Sequence, residues 1–183
     1  MKLEQAINTL DVISVHGDLN RDVTGVCTDS REVITGTMFV AVRGSAADGN
    51  TFVPQAILSG ASAIVSESEK PTDNDDQVCW IHVADARAAA AALACNWYDH
   101  PSAGMKVVGI TGTNGKTTTA FITHAIMEQV WRRAGLLGTV QVNDGEEVVA
   151  ATHTTPGSVE LQSILARMSA NDCRGVAMEI SSH

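Results

Sequence analysis

One short segment of the sequence combines glycines with a lysine and threonines, residue types that suit phosphate binding. It lies between an apolar run at 105–110 and a helical pattern that places Phe121, Ile122, Ala125, Ile126 and Val130 on one side. In a loop between a strand and a helix, small residues let backbone N–H groups surround phosphate oxygens at the positive end of the helix dipole. We therefore predict a nucleotide site formed by Gly112, Thr113, Asn114, Gly115, Lys116, Thr117 and Thr118.

Lys116 and Thr117 have the clearest chemical roles in this loop. The ammonium group would reach the β- and γ-phosphates of ATP, and the Thr117 hydroxyl would coordinate Mg²⁺. The strict phosphate-loop consensus has a glycine separated from Gly115 by four residues, where this chain has Ile110. The alternative is a glycine turn before an ordinary helix, which does not account for the lysine or the flanking patterns.

Composition is typical of a globular α/β protein. Of the 183 residues 44% are hydrophobic, and 21 acidic residues against 12 Lys and Arg give a net charge of −9. Such an acidic chain without a basic cluster has no electrostatic surface for nucleic acid or for an anionic membrane. We find no signal peptide and no membrane span, and Cys27, Cys79, Cys95 and Cys173 form neither a metal motif nor a disulfide framework. We expect a cytoplasmic protein with free thiols.

Strand and helix patterns alternate in the first hundred residues. Helices are predicted at 2–10, at 52–58 with Pro54 in the first turn, and from 86 to about 98 after an Asp85 cap. Strands are predicted at 23–31, 37–43, 61–65 and 78–83, with an acidic loop at 67–77. This alternation predicts an α/β domain over residues 1–100.

Turn-forming residues at 100–104 form the predicted linker to a second domain at 105–183. After the glycine loop, a helix is predicted to about Arg133, followed by β-rich runs at 135–142 and 146–150 around a hairpin turn at 143–145. A helix at 158–168 and a buried strand at 174–180 complete the pattern.

Four short segments, taken together, resemble the Mur ligase family and within it the MurE type. They are Thr28-Asp-Ser-Arg31 with Gly36-Thr-Met-Phe-Val-Ala41 and Asp48-Gly49; the glycine loop; Thr154-Thr-Pro156 with Glu160-Leu-Gln162; and Met178-Glu-Ile-Ser-Ser-His183. Each segment is weak alone, and their order and spacing carry the resemblance. It implies an α/β fold with a small N-terminal α/β substrate-binding domain, 1–100, that holds a UDP-sugar. The first, incomplete part of the family's central P-loop α/β ATPase domain follows at 105–183.

The resemblance implies a substrate site in the first domain. In the family, the Asp-Ser-Arg turn and a Gly-x-x-x-Asp-Gly loop hold the UDP end of the substrate. Hydroxyls and backbone amides suit uridine and pyrophosphate, and the corresponding residues here are Thr28, Ser30, Ser45, Ala46 and Ala47. The alternative for 29–31 is an ordinary capped surface turn with an ion pair.

Further substrate contacts are implied in the second domain. A family loop that contacts the muramoyl and peptide part of the substrate corresponds to His153, Thr154 and Thr155, although the family often has asparagine in place of His153. Ser181 matches another substrate contact of the family. A lone loop histidine is otherwise a solvated side chain.

Glu179 is the expected second Mg²⁺ ligand beside Thr117. It ends an apolar strand, and the carboxyl ends of strands in α/β nucleotide sites point into the ligand crevice. The alternative is a buried or edge acid paired with Arg174.

The resemblance implies ATP-dependent amide-bond formation in peptidoglycan synthesis. ATP phosphorylates the D-glutamyl carboxylate of UDP-N-acetylmuramoyl-L-alanyl-D-glutamate, and the amine of a diamino acid, meso-diaminopimelate or lysine, then displaces phosphate. Lys116, the loop amides and Mg²⁺ held by Thr117 and Glu179 would neutralise charge on the transferred phosphoryl group. Lys116 and Glu179 are thus the expected catalytic residues.

Three other functions remain open at this point. The sibling ligase that adds D-alanyl-D-alanine shares the Asp-Ser-Arg and glycine-loop features, but Thr154-Thr-Pro156 and Ser181-Ser-His183 argue against it. A P-loop GTPase is disfavoured because no Asn-Lys-x-Asp segment follows the loop. A non-catalytic module that binds nucleotide or a UDP-linked precursor is the third.

Family members continue beyond the segments matched here, with a carbamylated lysine that helps to hold Mg²⁺ and a third domain that binds the incoming amino acid. We therefore expect the 183 residues to bind ligands without ligating them. We also expect an open sheet edge in the second domain. The resemblance implies a monomer for the full-length family members.

Overall fold

The alternating strands and helices assemble into two separate five-stranded sheets, one in each half of the chain. The computed structural model describes residues 1–44, 47–71 and 77–181. A first unit comprises Met1–Trp97, and a second unit begins at Tyr98. The predicted linker falls at the start of the second unit, where Pro101–Gly104 form a short 3-10 helix. The predicted α/β class is confirmed.

The first unit is a mostly parallel sheet with short helices. In the sheet order β1-β5-β4-β3-β2, strands β2 to β5 are parallel and β1 is antiparallel to β5. The elements are α1 (Leu3–Ala6), β1 (Val12–His16), β2 (Gly25–Cys27), β3 (Thr37–Val40), α2 (Val53–Leu58), β4 (Ala63–Ser66), β5 (Cys79–Val83) and α3 (Ala86–Trp97), with 3-10 helices at Ser30–Glu32 and Gly49–Phe52.

The predicted elements of this unit form, with shorter bounds. Asp85 caps α3 as expected, because its Oδ1 accepts a hydrogen bond of 2.9 Å from the Ala88 N–H. The helix predicted at 2–10 is a single turn, and β1 was not predicted. The core lies beneath α2, where the buried residues include Phe39, Ile64 and Trp80.

The second unit combines parallel strands with an antiparallel hairpin. Its sheet order is β6-β10-β7-β8-β9, in which β10 pairs in parallel with β6 and β7 while β7, β8 and β9 are antiparallel. The elements are β6 (Lys106–Ile110), α4 (Lys116–Trp131), β7 (Ala134–Leu137), β8 (Gln141–Asn143), β9 (Val148–Ala150), α5 (Ser158–Ala170) and β10 (Gly175–Glu179).

The two long helices of the second unit cover opposite faces of its sheet. Successive residues of a strand point to opposite faces. Val176 of β10 packs in a cluster with Ile164 and Met168 of α5, whereas the adjacent Ala177 packs in a cluster with Met127 of α4. The interior strand β10 is therefore buried on both faces.

The apolar side that the sequence indicates for α4 does not face the sheet. Its buried residues are Ala120, His124 and Met127, while Ile126 is 60% exposed and Val130 is 64% exposed. The helix lies so close to the sheet that a Cβ on Gly175 would be 2.4 Å from the Trp131 ring. Glycine at position 175 allows this close approach, while the larger aliphatic side chains of α4 are exposed.

The β-rich run predicted at 135–142 is divided into β7 and β8 by a turn at 138–140. The predicted hairpin is confirmed between β8 and β9, where the Asn143 side chain accepts from the Gly145 N–H. β6 is the last strand at one end of the sheet as far as the described residues go, and Val107 and Val108 are about 40% exposed. No helix of the described residues is long and apolar enough to span a membrane.

Candidate functional site

The glycine loop connects the end of β6 to the beginning of α4. Gly112 and Gly115 have φ angles of +141° and +79°, a region that favours glycine, and Gly115 directly precedes the helix. The Lys116 Nζ folds back and donates a hydrogen bond of 2.8 Å to the Gly112 carbonyl oxygen. Residues 111–115 are exposed, so the free N–H groups at the start of α4 face a solvent-accessible loop.

The Glu179 carboxylate lies next to this loop and is almost fully buried, with 1% of the residue exposed. The Thr117 hydroxyl donates to its Oε2 at 3.0 Å. The Thr139 N–H donates to Oε1 at 3.0 Å, and the Thr139 hydroxyl donates to Oε2 at 3.1 Å. The structure thus brings Thr117 and Glu179 together as the sequence predicts, and adds Thr139.

The alternative pairing of Glu179 with Arg174 is not formed. Glu179 is the last residue of β10, whereas Arg174 lies just before its first residue. A strand advances about 3.3 Å per residue, which places them too far apart for an ion pair. Among the described residues, the hydrogen-bond donors to the carboxylate are threonines, so this buried polar group is satisfied by hydroxyl and backbone donors.

The predicted substrate loop at 153–155 reaches the same strand end. The Thr155 hydroxyl donates to the Glu179 backbone carbonyl at 3.1 Å and accepts from the Ser181 N–H at 2.9 Å. Thr154 Oγ1 lies 3.3 Å from Thr139 Oγ1. His153 is exposed, and its Nδ1 lies 3.2 Å from the Thr152 hydroxyl. Thr154, Thr155 and Ser181 therefore gather around Glu179, whereas the His153 ring contacts its own loop.

The first unit has a cavity of about 680 Å³ at the predicted UDP site. Of the predicted residues, Thr28, Ser30 and Ala47 line it, while Ser45 and Ala46 lie outside the described residues. The Ser30 hydroxyl is 3.4 Å from the Gln55 side-chain oxygen, which leaves it weakly engaged within the protein. The other lining residues are Asp29, Arg31, Val42, Gly44, Gly49, Phe52, Gln55 and Arg87.

Asp29 and Arg31 form an ion pair at the edge of this cavity. The Arg31 guanidinium and the Arg31 backbone N–H both donate to the carboxylate, which lowers the pKa of Asp29 to about 2. The Arg31 side chain is 83% exposed, so the pair contributes little to stability. The capped turn of the alternative interpretation is present, and the same turn lines the cavity.

Asp48 and Gly49 shape the loop on the other side of the cavity. The Asp48 carboxylate accepts from the Asn50 N–H at 2.9 Å and begins a 3-10 helix. A Cβ on Gly49 would lie 2.6 Å from the Val42 carbonyl oxygen and 2.7 Å from its nitrogen. No side chain fits there, so glycine is required for the chain to pass this closely.

Sequence reasoning missed Thr139 and Gly138 in the second unit and Arg87 and Gln55 in the first. None of them belongs to a short motif, and their roles arise from folding. An interruption of the 135–142 run by Gly138 was the only sequence signal for the turn at Glu179. Burial raises the pKa of the Cys27 thiol to about 12, so the cysteine beside the cavity stays un-ionised.

The site consists of a glycine loop after β6 and a buried carboxylate at the end of the neighbouring parallel strand, β10. These features define an α/β protein of the phosphate-loop class. Two family models match the chain. The model described as the Mur ligase family, catalytic domain, matches residues 22–98, and the model of the Mur ligase middle domain matches residues 110–183. The chain belongs to the Mur ligase family, whose members are ATP-dependent ligases.

Curated relatives agree with this assignment. A protein of Geobacter sulfurreducens named UDP-N-acetylmuramoyl-L-alanyl-D-glutamate–2,6-diaminopimelate ligase is 44% identical over 183 residues, which are 100% of this chain and 36% of that protein. Ligases of the same name from Cytophaga hutchinsonii and Clostridioides difficile are 41% and 40% identical over the whole chain, which covers 38% and 37% of them. The chain thus spans little more than a third of the length of these relatives.

Solved structures share the fold. A structure of UDP-N-acetylmuramoyl-L-alanyl-D-glutamate–2,6-diaminopimelate ligase matches 100% of this chain and 36% of its own with a TM-score of 0.77 at 22% identity. MurF from Acinetobacter baumannii matches 98% of this chain and 35% of its own with a TM-score of 0.65 at 21% identity. MurF ligase from Thermotoga maritima, solved in complex with ADP, covers 86% of this chain and 32% of its own at 26% identity and a TM-score of 0.55.

Proposed function

We propose that this chain carries the UDP-precursor site and the ATP site of a ligase that extends UDP-N-acetylmuramoyl-L-alanyl-D-glutamate by one diamino acid. The observation that carries the proposal is the contact between Glu179 and Thr117, which lies in the first turn of α4 directly after the glycine loop. Residues 1–100 would bind the UDP end, and residues 105–183 would bind ATP. The relatives' names favour 2,6-diaminopimelate as the diamino acid.

The residues at the loop fit Mg²⁺. Mg²⁺ prefers oxygen ligands and is usually held by one or two carboxylates together with water and substrate phosphates. A hydroxyl and a carboxylate oxygen that lie 3.0 Å apart, from Thr117 and Glu179, provide ligands of this kind. When bound, Mg²⁺ would withdraw charge from the phosphate oxygens of ATP.

Lys116 and the loop amides would stabilise the negative charge of the ATP phosphates. Lys116 would exchange its contact with the Gly112 carbonyl for the β- and γ-phosphates. The amides at the start of α4 would bind the same anion along the helix dipole. The attack of a carboxylate on ATP brings negative groups together, so these donors would stabilise the transfer that yields an acyl phosphate.

The cavity of the first unit suits the UDP end of the precursor. Its volume of about 680 Å³ lies in the range of small-molecule sites. The Thr28 and Ser30 hydroxyls and the Ala47 backbone would bind uridine and diphosphate, and Arg87 supplies a cation to the same cavity. Thr154, Thr155 and Ser181 would contact the muramoyl and peptide part, with His153 at the edge of that contact. The cytoplasm, where ATP is available, is the proposed location.

Binding experiments on the chain test this function. We expect ATP with Mg²⁺ and UDP-N-acetylmuramoyl-L-alanyl-D-glutamate each to bind in calorimetric titrations. The sibling ligase would instead prefer the precursor that already carries its third residue, and a nucleotide switch would prefer GTP to ATP. Stronger binding of the tripeptide precursor or of GTP would refute the proposal in favour of those alternatives.

A further inference from the structure

The turn between β7 and β8 closes tightly around the Glu179 carboxylate. A Cβ on Gly138 would lie 2.3 Å from Glu179 Oε1, so any other residue here would displace the carboxylate from its present position. The next residue, Thr139, directs both its N–H and its hydroxyl at the carboxylate. The turn that interrupts this β-rich run thus places two donors on one buried carboxylate.

The hydroxyl of Thr139 has a second partner besides Glu179. Its oxygen lies 3.1 Å from Glu179 Oε2 and 3.3 Å from Thr154 Oγ1. A hydroxyl carries a single proton and so donates to one partner at a time. When Thr139 donates to Glu179, its oxygen accepts the hydrogen bond of the Thr154 hydroxyl. Glu179, Thr139 and Thr154 thus form one chain of hydrogen bonds.

This chain of hydrogen bonds runs from the glycine loop to the predicted substrate loop. Thr117 and Thr139 donate to the same carboxylate oxygen of Glu179. If Thr117 turned its lone pairs towards a cation, Thr139 would still hold the carboxylate through its N–H and its hydroxyl. Because Thr139 itself is exposed, a change of its side chain alters hydrogen bonds without opening a cavity in the core.

We infer that Thr139 is a positioning residue that fixes the Glu179 carboxylate and connects it to the Thr154 hydroxyl. The inference rests on the proposed function, because it gives Thr139 a role only through the ligand and substrate contacts of its two partners. Thr139 acts through Glu179 and Thr154, the two residues with which its hydroxyl forms hydrogen bonds. The ligand whose binding depends on this positioning is a divalent cation bound together with a nucleotide.

A matched pair of variants tests the inference in the absence of any ligand. Thr139→Val keeps the shape and removes the hydroxyl, whereas Thr139→Ser keeps the hydroxyl. We expect the carboxyl ¹³C resonance of Glu179 in the ligand-free chain to move in the Val variant and to stay near the parental position in the Ser variant. Identical resonances in the parent and both variants would overturn the inference, whether or not the chain binds nucleotide.

The link to Thr154 is tested by a second substitution. Thr154→Val should also move the Glu179 resonance when Thr139 is present, because the donor to Thr139 is lost. The same substitution should have little effect in the Thr139→Val background. Equal shifts in the two backgrounds would contradict the connection between these hydroxyls.

Titration with Mg²⁺ at fixed ATP then separates a positioning role from a structural one. We expect the Mg²⁺ concentration for half-saturation to rise about 2- to 10-fold in Thr139→Val, the range for one lost hydrogen bond, with recovery in Thr139→Ser. ATP affinity in the presence of a chelator should be the same in all three chains. An equal loss with and without Mg²⁺ would overturn the positioning role. If the parent binds no ATP, the proposed function fails, and the carboxyl resonances still decide the role of Thr139.

Discussion

Lys116 is the residue whose removal most directly tests the nucleotide site. Its ammonium group now contacts the Gly112 carbonyl and would move to phosphate oxygens. We predict that Lys116→Ala lowers ATP affinity about 10- to 100-fold, since a charge-assisted hydrogen bond contributes roughly 1.5–3 kcal/mol. Calorimetric titration measures the loss. Lys106→Ala, which removes an exposed lysine at the first position of β6, should bind ATP like the parent. Parental affinity in Lys116→Ala would exclude the lysine from the site.

Asp29 gives a pH-dependent test of the turn in the first unit. Its pKa is lowered to about 2, mainly by hydrogen bonds from the Arg31 side chain and next from the Arg31 N–H. A depressed pKa contributes stability above the ordinary value of about 4, which is lost as the pH falls through 2. We predict that Arg31→Gln raises the pKa of Asp29 towards its ordinary value, as followed by the carboxyl ¹³C resonance. The N–H contact should keep it somewhat low, and an unchanged pKa would show that the ion pair is not formed in solution.

Individual residues differ in how far the sequence alone identifies them. Thr117 and Glu179 lie more than sixty positions apart in the sequence. A phosphate-loop pattern and an acidic residue at the end of a strand nevertheless predict that they lie close together, and they are in contact. Thr139 carries no such pattern, since a threonine after a glycine is common. Its role depends on where the turn is placed by β7 and β10, which only the folded chain specifies.

In helix α4, the apolar spacing of the sequence predicts the helix but not which of its faces is buried. Met127 is 6% exposed and packs on the sheet, while its neighbour Ile126 is 60% exposed. We predict that Met127→Ala lowers the free energy of unfolding by about 2–5 kcal/mol. Ile126→Ala should change it by no more than about 0.5 kcal/mol. Urea denaturation of the two variants measures both values, and a larger loss for Ile126→Ala would mean that α4 packs with the face that the sequence indicates.

Gly49 provides a similar test for the loop that borders the cavity. Because a Cβ there would lie 2.6 Å from the Val42 carbonyl oxygen, we predict that Gly49→Ala destabilises the first unit by about 1–3 kcal/mol. Gly25→Ala is the matched control, since nothing lies within 4 Å of the added atom. It should be neutral or slightly stabilising. Thermal unfolding that ranks the two variants in the opposite order would contradict the close approach.

At the level of elements, the sequence predicts those that depend on local signals. Helix α3 begins after Asp85 and the hairpin turns at Gly145, because a cap and a turn residue act within a few positions. Strand β1 has no clear alternation of buried and exposed residues and was missed. The division of β7 from β8 was missed for another reason, since the turn contacts Glu179, which lies 40 positions further along the chain from Thr139.

At the level of the whole molecule, the chain offers two candidate sites in two units. The cavity with Ser30 belongs to the first unit, and the glycine loop with Glu179 belongs to the second. With a net charge of −9, long-range attraction of phosphate-bearing ligands is unfavourable. Recognition at both sites must therefore come from local donors such as Arg87 and Lys116.

Because the two candidate sites belong to different units, each ligand should protect its own unit from hydrogen exchange. We predict that ATP with Mg²⁺ slows exchange of the amides at 111–118, because these N–H groups would bind phosphate oxygens. UDP alone should slow exchange in the first unit, around 28–31 and 47–49, because it carries the part of the precursor assigned to that cavity. Lys116→Ala serves as the control, since it should lose the protection by ATP and keep the protection by UDP. Protection of the glycine loop by UDP with no effect near Ser30 would place the UDP site in the second unit and refute the assignment of the cavity.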